Sequence, residues 1–184
     1  MMLRDLRLTA CLLCGTVSAA TAAGQTAPQA ASPGAQFPFY FRSLHVGAPR
    51  PTGKAKEAYR RCEKLEATLY CSFPMDMRIA DIPVFGEAMF AETGFSEMRL
   101  SFGSKVASDV RSALTERYGD PCGTSSGEVQ NLYGAKFTRE TASWCFSDGI
   151  ATFQSAGATI GEGAFRFAST AIVKRENRKL PADF

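Results

Sequence analysis

The sequence predicts an α+β protein: an antiparallel sheet of hairpins, two helices packed on one face, and two disulfides. Three observations carry this. Apolar and polar residues alternate with period two over several stretches, as where Met98, Leu100 and Phe102 interleave with Glu97, Arg99 and Ser101. One stretch, SKVASDVRSALTERYGDP, switches to a helical period. Past the first 22 residues the cysteines number four, an even set.

Residues 1–22 read as a secretory signal peptide. Arg4 and Arg7 make a positive start, Leu8 to about Ala19 is modestly apolar, and Ala20-Thr21-Ala22 fits the small-x-small cleavage rule. The apolar stretch is too short and weak to span a membrane, so no transmembrane segment is expected in the mature chain. Cys11 follows a lipobox-like Leu8-Thr9-Ala10, but the apolar run comes after that cysteine, so the signal-peptide reading is preferred. Residues 23–36, AGQTAPQAASPGAQ, carry no charge or periodicity and read as a flexible linker. Residues 37–173 are expected to form a single α+β domain, and 174–184 a charged, solvated tail.

Within the domain, Val106, Val110, Ala113, Leu114 and Tyr118 fall on one helical face. Ser104 can cap that helix, Gly119 suits the position past its end, and Pro121 blocks continuation. A shorter helix is expected from Gly53 to about Arg61, with Thr52 as cap. Thr93-Gly94 should turn a strand near Glu87–Glu92 into the Met98 strand. Asp148-Gly149 suits a two-residue type I′ hairpin, pairing Phe146 with Ala151 and Trp144 with Phe153. Trp144, Phe146 and Phe153 then share one face and Cys145 points to the other. In the last strand, Phe165, Phe167, Ala171 and Val173 should share a face.

Removing the leader leaves Cys62, Cys71, Cys122 and Cys145. An exported chain meets an oxidising compartment, so two disulfides are expected. Three pairings are possible; proximity along the chain favours Cys62–Cys71 and Cys122–Cys145, each contributing about 2.5–3.5 kcal/mol through loop closure. The disulfides account for these thiols without a catalytic role.

Composition excludes several functions. The formal charge of +3 falls to about +2 once Arg4, Asp5 and Arg7 are removed, which gives no footprint for nucleic acid. There is no phosphate-cradling glycine loop and no metal-ligand cluster, so no cofactor is expected. The single histidine, His45, alternates with Leu44 and Val46 and should lie on the outer side of a strand. Gly123–Gly127, GTSSG, matches the nucleophile-elbow pattern but lacks the strand-turn-helix setting, and no histidine follows it; it reads as a flexible loop. Asp148 is assigned to its turn. Phe37–Phe41, FPFYF, either closes the core or anchors a partner. Glu87 could meet Glu97 or Glu140 across strands, which keeps carboxylate chemistry open.

The order apolar-x-apolar-Gly, helix, Cys, strand-Cys occurs twice: in LHVG with Cys62 and Cys71, and in LSFG with Cys122, WCF and DG. This suggests a tandem repeat. The pattern resembles the beta-lactamase inhibitor protein class, built of two helix-plus-antiparallel-sheet units with one disulfide in each. Similar units occur in small bacterial envelope proteins, including outer-membrane assembly factors. The resemblance covers about two thirds of the mature chain and is mostly topological. It implies a binding module more than an enzyme. The expectation is therefore an exported, non-enzymatic interaction module, periplasmic or extracellular, whose partner is another envelope or secreted protein. The competing expectation is an envelope hydrolase using paired carboxylates. No catalytic, cofactor-binding or metal-binding residue is assigned.

Overall fold

A computed structural model describes residues 37–130, 134–157, 159 and 161–179. The expected signal peptide and linker, and the end of the expected tail, lie outside these residues. The described chain is α+β. An eight-stranded antiparallel sheet comprises β1 (Arg61–Leu65), β2 (Thr68–Ser72), β5 (Phe85–Ala91), β6 (Gly94–Gly103), β7 (Gly123–Gln130), β8 (Lys136–Phe146), β9 (Gly149–Gln154) and β10 (Glu162–Ser169). A separate hairpin pairs β3 (Arg78–Ile79) with β4 (Ile82–Pro83). Helix α1 spans Ala107–Tyr118 and α2 spans Thr170–Lys179.

The strand order is β1-β2-β5-β6-β10-β9-β8-β7. Each half of the chain is thus a four-stranded meander, and the two join through their last strands, β6 and β10. Each meander is followed by a helix. The strands are doubled, with one disulfide in the first hairpin of each half, but the two helices do not share one face, the expected arrangement. The segment before Cys62 is a 3-10 helix that buries nothing, α1 packs on the core face and α2 on the reverse one, because Arg166, itself held by Glu97, draws Glu176 there. Cys62–Cys71 links directly opposed residues of β1 and β2 with Cα atoms 4.1 Å apart, and Cys122–Cys145 spans 5.8 Å.

One face of the sheet packs the core. Cross-strand partners share a face, so the register Cys71↔Ala88↔Met98↔Phe167↔Ala151↔Trp144 marks a continuous inner row. Helix α1 lies on it, burying Ala107, Val110, Leu114 and Tyr118, with Ala113 and Val106 half-buried alongside. Val110, Leu114 and Tyr118 recur at four-residue steps, which place them on one helical stripe. At its end Gly119 adopts φ 79°, ψ −169°, a conformation open to glycine, and its carbonyl accepts the Trp144 indole N–H at 2.8 Å. Phe39 completes the core. Its ring stacks on Phe167 at 3.8 Å and meets Phe146 edge-on at 5.2 Å. Of the FPFYF aromatics, Phe39 and Phe41 are buried, while Phe37 and Tyr40 are about half exposed.

Several local expectations are corrected. Ser104 does not cap α1. Ser104–Val106 form a 3-10 turn leading into it, with no side-chain cap. The expected helix from Gly53 is a 3-10 helix, Gly53–Ala58, uncapped by Thr52. None of its residues is buried, so no apolar face exists to stabilise a longer helix. Leu44 makes only an isolated bridge with Phe41, so His45 is not on a strand; its ring lies 5.5 Å from that of Tyr40. GTSSG is not a loop but part of edge strand β7.

The hairpin carrying WCFSDG turns on Ser147-Asp148, because Phe146 pairs with Gly149 and Trp144 with Ala151. Neither turn residue nor Gly149 has positive φ, so the turn is not type I′. Asp148 and Gly149 serve other contacts. The Asp148 carboxylate accepts the Phe39 N–H at 2.9 Å. A Cβ on Gly149 would stand 2.4 Å from the Ala168 carbonyl and 2.6 Å from the Phe167 ring. The register differs by two positions, an even shift, so Trp144 and Phe146 still face the core and Cys145 the other side. The β5–β6 hairpin behaves alike: it turns on Glu92-Thr93 and Gly94 opens β6.

The last strand ends at Ser169, whose partner Gly149 is the first residue of β9; on the other side its pairing stops at Ala168↔Glu97, although β6 continues to Gly94. Ala171 and Val173 therefore lie in α2, which continues through Lys174 and Arg175, residues assigned to the tail. Ile172 is the buried residue of this helix.

Two stability outcomes follow. Trp144→Ala should destabilise by about 3–5 kcal/mol through lost packing beneath α1. Cys145→Ser should cost about 2–5 kcal/mol through the lost cross-link. Denaturant unfolding of the oxidised protein measures both; a change below about 1 kcal/mol for Trp144→Ala would contradict the packing described.

Candidate functional site

The side of the sheet opposite α1 is the only large face without a full layer over it among the described residues. Its rows are read from the register. One runs Arg61–Ser72–Glu87–Arg99–Arg166–Thr152–Ser143, and its neighbour runs Glu63–Tyr70–Met89–Glu97–Ala168–Ile150–Cys145. Helix α2 covers part of the second row, where Met89, Glu97 and Ala168 are buried with Ile172. The first row is open. Along it a groove of about 440 Å³ is bounded by Ser72, Phe85, Glu87, Arg99, Ser101 and Glu162. Phe85 stands at its side, 47% exposed.

Glu97 is the electrostatic centre of this face. Its carboxylate is 5% exposed and its Oε1 accepts from Arg99 Nε and Arg166 Nε, both at 2.8 Å. A buried carboxylate needs such partners, since desolvation otherwise outweighs its retention. Met89 and Phe90 flank a β-bulge opposite this region, and Ser96 Oγ donates to the Met89 carbonyl at 3.2 Å. Arg166 also forks onto Glu176 of α2 through both terminal nitrogens. Burial alone would lower the Arg166 pKa, but hydrogen bonds to Glu176 and Glu97 raise it. The hydrogen bond from Arg166 holds Glu176 below the ordinary carboxylate range. On the core side, burial pushes the Tyr118 hydroxyl up to about 12. That hydroxyl donates to the Tyr40 carbonyl at 3.0 Å.

The carboxylates singled out from sequence are placed as follows. Glu87 and Glu97 share the open face, Glu87 opposite Arg99 and Glu97 one pair further on. Glu140 is separated from both, since its even position on β8 shares parity with Trp144, and it pairs with Arg111 of α1 at 2.8 Å. Ser125 is paired with Thr141 on the edge and has no histidine near it in the ladder. No group of three or more His, Cys, Asp or Glu side chains that could hold a metal occurs among the described residues. No helix among them is long and apolar enough to cross a membrane. Arg99 and Arg166 were missed from sequence. Their only signal was alternation with apolar neighbours, which shows a face but not which strands meet. Compared with protein families, curated proteins and solved structures, the chain matches none.

Glu97→Gln leaves two guanidinium groups around an uncharged amide and should destabilise by about 2–4 kcal/mol, less than a fully buried ion pair because Arg99 is half exposed. Glu63→Gln, in an exposed pair with Arg61, should stay within about 0.5 kcal/mol; chemical denaturation compares the two. Because the Glu176 pKa is lowered in the fold, its contribution is present above the ordinary carboxylate value and is lost as pH falls through the lowered one. Amide protection factors in α2 should therefore fall in acid before those of β10, and Glu176→Gln should lower α2 protection already at neutral pH and remove its acid dependence.

Proposed function

We propose that this chain is an exported, non-enzymatic binding module that docks another envelope or secreted protein on the open sheet face. The observation that carries the reading is the groove beside Phe85, Glu87, Arg99 and Ser101. There an exposed aromatic ring sits among polar and charged groups on a rigid sheet. Such a mixture of an aromatic anchor with a polar surround suits a protein interface. Two disulfides support export to an oxidising compartment, and the leader-like residues 1–22 support it independently. The resemblance to tandem helix-and-sheet inhibitor modules points the same way. Paired-carboxylate hydrolysis has less support, because Glu97 already holds two arginines and Glu140 belongs to the other face.

Crosslinking in the envelope of expressing cells tests this. Wild-type protein should give a discrete crosslinked species. Ser101→Arg, which fills the groove, should abolish it, whereas Ser112→Arg on the exposed side of α1 should not. Monomer alone, or a crosslink indifferent to Ser101→Arg, would overturn the proposal.

A further inference from the structure

A second concavity lies on the α1 side of the sheet, away from the open face. Three chain segments build it: the Phe41–Leu44 turn, the β3–β4 hairpin and the second half of α1. Its volume is about 350 Å³, within the range of small-ligand sites. The floor is apolar. Phe41, Ile79 and Leu114 are core residues, and Ala113 adjoins them. The rim is cationic, with Arg42, Arg78 and Arg117 against the single carboxylate of Glu116.

These arginines are not used by the fold as ion-pair partners. Arg117 faces the Phe41 ring, 5.8 Å from its centroid, and donates to the Tyr40 carbonyl at 3.4 Å. Arg78 donates to the Asp81 carbonyl at 2.6 Å. None of the three, nor Glu116, takes part in an ion pair among the described residues. Elsewhere among the described residues Arg61, Arg99, Arg111 and Arg166 are in ion pairs, and Arg50, Arg60, Arg139, Arg175 and Arg178 are not; what marks this rim is that three such groups border one pocket. Guanidinium forks match the geometry of carboxylate and phosphate oxygens, so their convergence on one rim selects for an oxyanion.

Two of the three non-glycine residues with positive φ lie at this rim; the third, Glu66 at φ 53°, opens the β1–β2 turn away from it. Arg42 has φ 55° and Ala80 has φ 50°, both in the left-handed region that side chains disfavour. Each is the first residue of a two-residue turn, Arg42 between Phe41 and Leu44, Ala80 between Ile79 and Ile82. Both turns stand at this rim. This is the ordinary geometry of two-residue turns, and it fixes where the Arg42 and Arg78 segments meet the pocket.

We propose that this pocket binds a small amphiphilic anion, an oxyanion head held by Arg42, Arg78 and Arg117 and a short apolar body lying on Phe41, Ile79 and Leu114. Carboxylate and phosphate heads share this chemistry. The site is independent of the docking face proposed above.

Titration of the oxidised protein with octanoate and, separately, octyl phosphate tests it, both below micellar concentration. Calorimetry gives the affinity and amide shifts at Ala113–Arg117 and Ile79–Ala80 give the place. At least one anion should bind saturably there, and the stronger of the two identifies the preferred head. Octanol, with the same body and no charge, and inorganic phosphate, with no body, should each bind at least about tenfold more weakly. Arg42→Gln should weaken binding by about tenfold or more. Arg78→Gln is a second variant in a different segment, should either perturb its own turn. Thermal melts confirm that both are folded. Absence of saturable binding by either anion would overturn the proposal. So would octanol or phosphate binding as tightly as the better anion, or both folded variants binding unchanged.

Discussion

The pairing of β6 with β10 is the contact on which the remaining structure depends. Each meander is built from short hairpins that can form locally, and each carries its own disulfide. Only the seven-residue register from Gly103↔Glu162 to Glu97↔Ala168 makes them one sheet. Unjoined, β6 and β10 would each expose an unpaired edge beside a row of large apolar side chains, a surface prone to wrong pairing. Joined, they bring Met98, Leu100, Phe165 and Phe167 into one buried strip under Phe39 and α1. The same pairing places Arg166 beside Glu97 on the reverse side. The core and the polar centre of the open face are two consequences of one ladder.

The two disulfides do different mechanical work although their sequence settings look alike. Cys71 is in the core row and fully buried, so Cys62–Cys71 pins the first edge hairpin from within. Cys145 belongs to the reverse face, in line with Ile150 and Ala168, so Cys122–Cys145 ties the chain leaving α1 to the far edge from outside. Edge strands β1 and β7 are largely exposed. Two-stranded edges of this kind are marginal alone, and in both cases the cross-link lies in the outermost hairpin.

Sequence periodicity revealed the elements whose stabilising contacts are regular. The α1 stripe, the Met98 strand and the facing of Trp144 against Cys145 were legible in this way, while the disulfide pairings came from the closeness of the cysteines along the chain. Elements decided by distant partners were not. Asp148-Gly149 carries a hairpin signature, yet the carboxylate is occupied by Phe39 and the glycine is required by Ala168 and Phe167. The turn moved by one position, and only the even change in register preserved the facing. STAIV reads as more strand because its β-branched residues continue an alternating pattern. Its ladder partners end at Ser169, and Glu176 finds Arg166 only once the helix has turned back. The open face and the arginine rim are unions of separate segments, invisible to any local pattern.

Phe39 has a further consequence for the order in which the molecule is assembled. Its N–H reaches Asp148, 109 residues later, and its ring lies flat on Phe167 of the last strand. A chain that emerges N-terminus first presents this ring long before either counterpart exists. The first meander can close meanwhile, with Phe39 stacked on Phe95, but both rings lack their neighbour Phe167 until β10 arrives. Completion of the core is therefore tied to arrival of nearly the whole polypeptide, since Phe39, Phe95 and Phe146 all share Phe167 as a ring neighbour.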